Sequence, residues 1–218
     1  MPRVGVVLSG CGFLDGAEIH EATLTLLHLD AAGAAIRCMA PATAEFEVVD
    51  HCRREPAGER RGVLAEAGRI ARGEIVPLAG VDAGSLDAAI FPGGFGAARN
   101  LCDWAVKGPE CDVDADVRRL ITALYAAGKP MGFICIAPVL AARVLGGHGV
   151  TITIGNDRAT AAGIEATGAR HRDCPVDEAV VDAEHRIVST PAYMLGPSIS
   201  HIDKGIGRLV AEVLRLAR

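Results

Sequence analysis

Aromatic side chains are scarce: only 4% of the residues are Phe, Trp or Tyr, although half of the chain is hydrophobic. Ala, Val, Leu, Ile and Gly must therefore fill the interior, and small side chains suit closely packed α/β layers. Long apolar runs are missing too. No stretch approaches the ~18 residues of a membrane span, and Met1-Pro-Arg-Val-Gly-Val-Val-Leu-Ser9 is too short and strand-like for a signal peptide. There is no long basic run, and the net charge of −5 is mild, which argues against a nucleic-acid partner. Neither Cys-x-x-Cys nor His-x-x-x-His occurs. The seven cysteines, at 11, 38, 52, 102, 111, 135 and 174, form neither a disulfide framework nor a zinc site of short ligand spacing. Scattered thiols indicate a reducing compartment, here expected to be the cytoplasm. His51 and Cys52 are adjacent, but sequence neighbours converge poorly on one metal, so a structural surface role is expected. No metal is expected.

What the chain does have is an alternation of apolar runs and amphipathic stretches. Strands are expected at Val4 to Leu8, Ala35 to Ala40, Leu86 to Phe91, Met131 to Ile134 and Val150 to Ile154. Helices are expected at Glu18 to Ala32, with Ile19, Ala22, Leu26 and Leu29 at helical spacing and Gly33 closing it, and at Glu59 to Arg72, Val113 to Ala126, Ile136 to Leu145, Arg158 to Ala166 and Ile199 to Leu216. Ala179 to Val181 and Arg186 to Ser189 read as a small C-terminal hairpin turning near Glu184. The pattern predicts one α/β domain over 1–218, a three-layer sandwich whose mainly parallel sheet has helices on both faces. Asn100 to Asp112, with Cys102, Trp104 and Cys111, is irregular and is expected to be a surface excursion.

Gly10-Cys-Gly12-Phe-Leu-Asp15 after the first strand resembles a dinucleotide fingerprint, but Asp15 replaces the third glycine and no acid ends the second strand. The glycines are expected only to turn the chain into the helix that carries Glu18.

The most informative residue is Cys135. The run Met131 to Ile134 ends on it and a helical stretch follows at once, the layout of a nucleophile elbow with sulfur in place of the serine oxygen. The helix N-terminus behind it would favour a thiolate. Ala137 fits the small-residue pattern around such a nucleophile and Phe133 does not; a buried core cysteine is the competing reading. Strand C-termini of such a sheet converge on one crevice. Three loops should meet there, bringing Glu18, Gly93-Gly94 and Cys135. Cys135 is then the nucleophile, the N–H groups of Gly94 and Ile136 an oxyanion hole, and Glu18 a proton shuttle.

These residues lie in motifs, Val7-Leu-Ser-Gly-Cys-Gly12, Asp15-Gly-Ala-Glu-Ile-His-Glu21, Pro92-Gly-Gly-Phe-Gly-Ala-Ala98, Gly132-Phe-Ile-Cys-Ile-Ala-Pro138, Thr153-Ile-Gly155 and Thr190-Pro-Ala-Tyr-Met194, that span the whole chain. Together they resemble the DJ-1/PfpI superfamily of the class I glutamine amidotransferase-like fold, flavodoxin-like in layout, and more closely the enhancing-lycopene-biosynthesis family of isoprenoid-biosynthesis glyoxalases. The resemblance implies Cys135 as nucleophile, Glu18 as its paired acid and Gly94 as oxyanion donor. It implies a glyoxalase III-type lyase that uses no cofactor and converts small dicarbonyls such as glyoxal to glycolate through a cysteine hemithioacetal. It also implies a homodimer. Many members of the superfamily carry a histidine at the tip of the strand after the cysteine. Here Asn156 or Asp157 stands there, which speaks against a full Cys-His-acid triad. A carboxylate beside a thiolate repels it unless one is protonated, so Glu18 is expected to be protonated and to donate to the sulfur.

Gly93, Asn156, Asp157 and Tyr193 complete the candidate pocket, core packing being the alternative for Tyr193. His20, two residues from Glu18, points about 200° away on a helix and reads as a surface or subunit-contact residue. His201 reads as solvated or packed, and Cys11 as an inert thiol. The competing functions are a redox or stress sensor with an oxidisable Cys135, a protein deglycase, and a binding partner in isoprenoid metabolism.

Overall fold

The computed structural model describes all residues 1–218. In chain order the elements are β1 (Arg3–Val7), α1 (Ile19–Ala31), β2 (Ala35–Ala40), β3 (Val49–Asp50), β4 (Glu55–Pro56), α2 (Val63–Ile70), β5 (Ile75–Pro77), β6 (Ala88–Phe91), α3 (Phe95–Arg99), α4 (Trp104–Lys107) and α5 (Ala115–Ala126). There follow β7 (Met131–Ile134), α6 (Pro138–Leu145), β8 (Thr151–Ile152), α7 (Arg158–Ala166), β9 (Arg170–His171), β10 (Val180–Asp182), β11 (Ile187–Thr190) and α8 (Ile199–Leu216).

Seven strands form one sheet in the order β10-β11-β7-β6-β1-β2-β5. Every pairing is parallel except β10 with β11. The period of two in each strand divides the interior into two cores. Met131 and Phe133 of β7 face α5 and α6, where Phe133 stacks on Phe91 at 4.8 Å. Ile134 and Cys135 belong to the opposite core with α1, α2 and α8, as do Val4, Val6 and Leu8. Helix α8 buries Ile202, Ile206, Leu209, Val213 and Leu216 at three- and four-residue spacing. It comes so close to the sheet that a Cβ on Gly132 would lie 2.8 Å from Leu209. No helix is long and apolar enough to cross a membrane.

Several expectations are corrected. Helix α2 begins at Val63, not Glu59, because Ala44 and Gly62 form a β-bridge that holds the preceding residues extended. The stretch Asn100 to Asp112 turns inward: Leu101, Cys102, Trp104 and Cys111 are buried, and Cys102 bridges to Val113. The expected C-terminal hairpin forms as β10 and β11, and β11 also pairs in parallel with β7, which joins it to the main sheet. Strand β8 leaves that sheet and pairs with β9. The β3–β4 hairpin, α3, α4, β5 and β9 are too short to show a period in the sequence.

Candidate active site

Cys135 lies at the carboxyl end of β7 with φ 61°, a left-handed conformation that a residue with a side chain adopts only under strain. Its N–H donates to Thr190 O at 2.9 Å and Ala137 N–H donates to Ile134 O at 3.0 Å, which ties the sharp turn into α6. The side chain is turned out of the strand into a crevice, and the N–H groups of Gly94 and Ile136 point at the sulfur. The two N–H groups expected as oxyanion donors therefore lie around the Cys135 sulfur.

The loop after β6 is held equally firmly. Gly94 has φ 90°, and a Cβ there would lie 2.4 Å from Gly16 O. Glu18 N–H donates to Gly93 O at 2.9 Å, which joins the first loop to this one. Gly93 backs the cysteine and does not line the crevice: a Cβ on it would meet the Cys135 Cβ at 2.5 Å.

The acid against the sulfur is Glu21, not Glu18. Glu21 is fully buried, and its Oε2 and the Cys135 Cβ lie side by side against Gly93. Its Oε2 accepts from Gly93 N at 2.9 Å and its Oε1 from Tyr193 N at 3.2 Å. Glu18 caps α1, accepting from Glu21 N at 2.8 Å, and its side chain lines the crevice mouth beside Cys135. The inward stripe of α1 is Glu21, Ala22, Thr25 and Leu29, whereas Ile19 is exposed. A stripe centred on Ala22 and Leu29 with Thr25 between them would have exposed Glu21 in the sequence; Ile19 and Leu26 rotated that reading away from it.

Burial, followed by the Glu18 charge, pushes the Glu21 carboxyl up to about 8, against the opposing pull of the Tyr193 and Gly93 N–H groups. Burial and Glu21 push the Cys135 thiol up, while the Gly94 and Ile136 N–H groups draw it down. The expected pull of the helix N-terminus is present through the Ile136 N–H, but removing the sulfur from water acts against it and pushes the thiol up on balance.

Tyr193 lines the crevice, and its hydroxyl shares a 2.7 Å hydrogen bond with His20 Nδ1 on the rim. Asn156 and Asp157 do not reach the crevice. Both are exposed, and Asp157 caps α7 by accepting from Thr160 N at 2.8 Å. With β8 outside the main sheet, its tip leads away, and Thr160 is the α7 residue that lines the site. The glycine loop after β1 has a structural use: buried Asp15 accepts from Val49 N at 2.8 Å, and Asn100 donates to Ser9 O and Asp15 O. Cys11 is half-buried there and its thiol is pushed up by burial and nearby carboxylates. His51 accepts from Leu14 N at 3.3 Å. His201 lies exposed at the start of α8, bonded to Ser198 at 2.8 Å. No group of three or more His, Cys, Asp or Glu side chains is arranged to hold a metal ion.

A strained cysteine at the carboxyl edge of a parallel sheet, with a buried glutamate beneath it and two N–H groups around it, defines a protein of the class I glutamine amidotransferase-like fold. Sequence comparison gives the family. Over 224 residues the chain is 47% identical to the human (Homo sapiens) glutamine amidotransferase-like class 1 domain-containing protein 3, mitochondrial, covering 98% of this chain and 83% of that one. A crystal structure of an isoprenoid biosynthesis protein with amidotransferase-like domain from Ehrlichia chaffeensis superposes with a TM-score of 0.94 at 33% identity, covering all of both chains. A DJ-1 superfamily protein from Salmonella typhimurium shares the fold, with a TM-score of 0.52 at 24% identity over 100% of this chain and 89% of that one. No family model matches the chain. The chain belongs to the glutamine amidotransferase-like class 1 family.

Proposed function

We propose that this protein is a cofactor-independent, cysteine-dependent glyoxalase that converts glyoxal to glycolate. The observation that carries the reading is the strained Cys135 at its elbow, with buried Glu21 held beside it by the Gly93 and Tyr193 N–H groups and the Gly94 and Ile136 N–H groups aimed at the sulfur. In the first step, in molecules whose Glu21 is ionised, Cys135 Sγ bonds to an aldehyde carbon as its proton passes to Glu21. The carbonyl oxygen accepts from the two N–H groups, then takes that proton from Glu21 to give the hemithioacetal. Glu18, at the crevice mouth, removes the C–H proton of that carbon and returns a proton to the neighbouring one through an enediol. The product of that shift is a thioester of glycolate. Water cleaves it, releasing glycolate and the thiol, so the sum is glyoxal plus water to glycolate with no external redox partner.

A sensor needs an exposed thiol of low pKa. Cys135 is only 7% exposed and its thiol is pushed up, which favours the enzyme over the sensor. Deglycase action differs from free-dicarbonyl consumption in its substrate, and pre-formed glycated peptide distinguishes the two. All seven cysteines are free thiols, which suits a reducing compartment, the cytoplasm or the mitochondrial interior named for the human relative. A homodimer is part of the proposal, and light scattering of the purified chain tests it.

The deciding measurement is glyoxal consumption with glycolate detection in reducing, metal-free buffer. Wild type should turn over and Cys135→Ala should not. Activity retained in Cys135→Ala would overturn the mechanism.

A further inference from the structure

The crevice above Cys135 is larger than glyoxal and mostly apolar. Its volume is ≈ 450 Å³, in the range of ~300–1,000 Å³ that holds ligands of drug size. Phe13, Phe95, Ile136, Tyr193 and Met194 make most of the wall. Phe13 is 39% and Phe95 47% exposed, so two aromatic rings of a chain poor in aromatics, backed by His51 and Arg99, stand partly open to solvent at the mouth. Exposed apolar side chains grouped at one opening mark a surface that something covers.

Charge restricts the occupant further. No Lys or Arg lines the crevice, and Glu18 does. The nearby Arg99 is engaged elsewhere: it lies over the rings of Phe95 and Phe46 at 5.3 and 5.6 Å and pairs with Glu47 at 3.5 Å. A carboxylate or phosphate on the substrate would lose its water against apolar walls with no cation in return. The N–H groups of Gly94 and Ile136 are already committed to the sulfur and to the oxyanion it generates.

Resting on the glyoxalase reading, we infer that the substrate of this site is a neutral 2-oxoaldehyde, R–CO–CHO, whose R is a bulky apolar group lying against Phe13, Phe95 and Met194. Cys135 takes the aldehyde carbon. The hydrogen of that carbon moves to the ketone carbon, and hydrolysis of the thioester releases the 2-hydroxy acid R–CHOH–COO⁻. Atoms and electrons balance with water as the only co-reactant. The product, unlike the substrate, is an anion beside Glu18 in a crevice without a cation, so the same charge pattern that admits the substrate favours release of the product.

The test compares kcat/KM of the full chain for glyoxal, phenylglyoxal and 4-carboxyphenylglyoxal. In parallel, the rate of Cys135 alkylation by iodoacetamide, N-benzyl iodoacetamide and iodoacetate is read by intact mass, with Cys135→Ala as blank for the other thiols. Phenylglyoxal should exceed glyoxal by about tenfold or more, and the added carboxylate should remove that advantage. Benzyl iodoacetamide should alkylate fastest and iodoacetate slowest. Phe13→Ala with Phe95→Ala should lower the phenylglyoxal-to-glyoxal ratio. Cysteine-dependent turnover with glyoxal equal to or better than phenylglyoxal would overturn the inference while leaving the glyoxalase reading standing. No turnover of any dicarbonyl would overturn that reading, and the alkylation order alone would then judge the crevice: benzyl first supports an apolar neutral ligand, iodoacetate first overturns it.

Discussion

Burial raises the proton affinity of both Glu21 and Cys135, and Glu21 adds to the rise at Cys135 while Cys135 itself pulls Glu21 slightly down. Two outcomes follow at the residue scale. Removing the Cys135 proton requires an ionised Glu21, so kcat/KM for a dicarbonyl should rise with pH through about 8, the value to which Glu21 is pushed. Glu21→Gln takes no proton from the sulfur. Activity should fall by about 10²–10⁴-fold, and the rising limb near pH 8 should vanish. Stability carries the opposite sign. Glu21 binds its proton more tightly folded, at about 8, than at its ordinary value of 4.5, so its contribution is complete below 4.5 and is lost as pH rises through 8. Within that window unfolding free energy should fall by up to about 1.4 kcal/mol per pH unit from this group, and denaturant midpoints of Glu21→Gln should lack that part of the slope.

At the scale of elements, the turns matter more than the strands and helices they join. Gly93 lets the backbone lie against Cys135, and the 2.5 Å approach of an added Cβ leaves no room that a side-chain movement could open. Gly93→Ala should cost roughly 1–3 kcal/mol and displace both the Glu21 hydrogen bond and the sulfur, so glyoxal turnover should drop with stability. Asp157 is the contrasting case. It stands where a site residue was expected, yet its carboxylate accepts from Thr160 N and caps α7. Asp157→Ala should lower stability by about 1 kcal/mol and leave the rate of Cys135 alkylation unchanged. A loss of alkylation in that variant would return Asp157 to the site.

On the scale of the whole molecule, the site lies at the seam between one core and solvent. Cys135 is part of the core beneath α1 and α8, while its sulfur opens on the crevice. The separation of α8 from the sheet is set by Gly132, where a Cβ would lie 2.8 Å from Leu209 and 3.1 Å from Val213. Gly132→Val should push α8 outward at a cost of about 1–3 kcal/mol, a fall of several degrees in thermal midpoint. Scanning calorimetry checks this, and an unchanged midpoint would show that the layer tolerates the added volume.

The strand and helix alternation, the elbow at Cys135 and the Gly94 and Ile136 donors were legible in the sequence because each is local. An apolar run ending on a cysteine before a helical stretch needs no distant partner to be recognised, and α7 and α8 begin and end where their own patterns predict. What only tertiary structure decided was which groups meet. Helix α1 starts at Ile19 and turns Glu21 inward because Ala22, Thr25 and Leu29 pack on the sheet, and three residues of phase separate the buried acid from the cap. β8 pairs with β9 and not with the main sheet, and Asn156 and Asp157 stay exposed while Thr160 lines the crevice. Even the direction in which the Cys135 thiol is shifted depends on the tertiary structure. A helix N-terminus is visible in sequence, but the loss of water around the sulfur depends on every segment that covers it, and that desolvation outweighs the dipole.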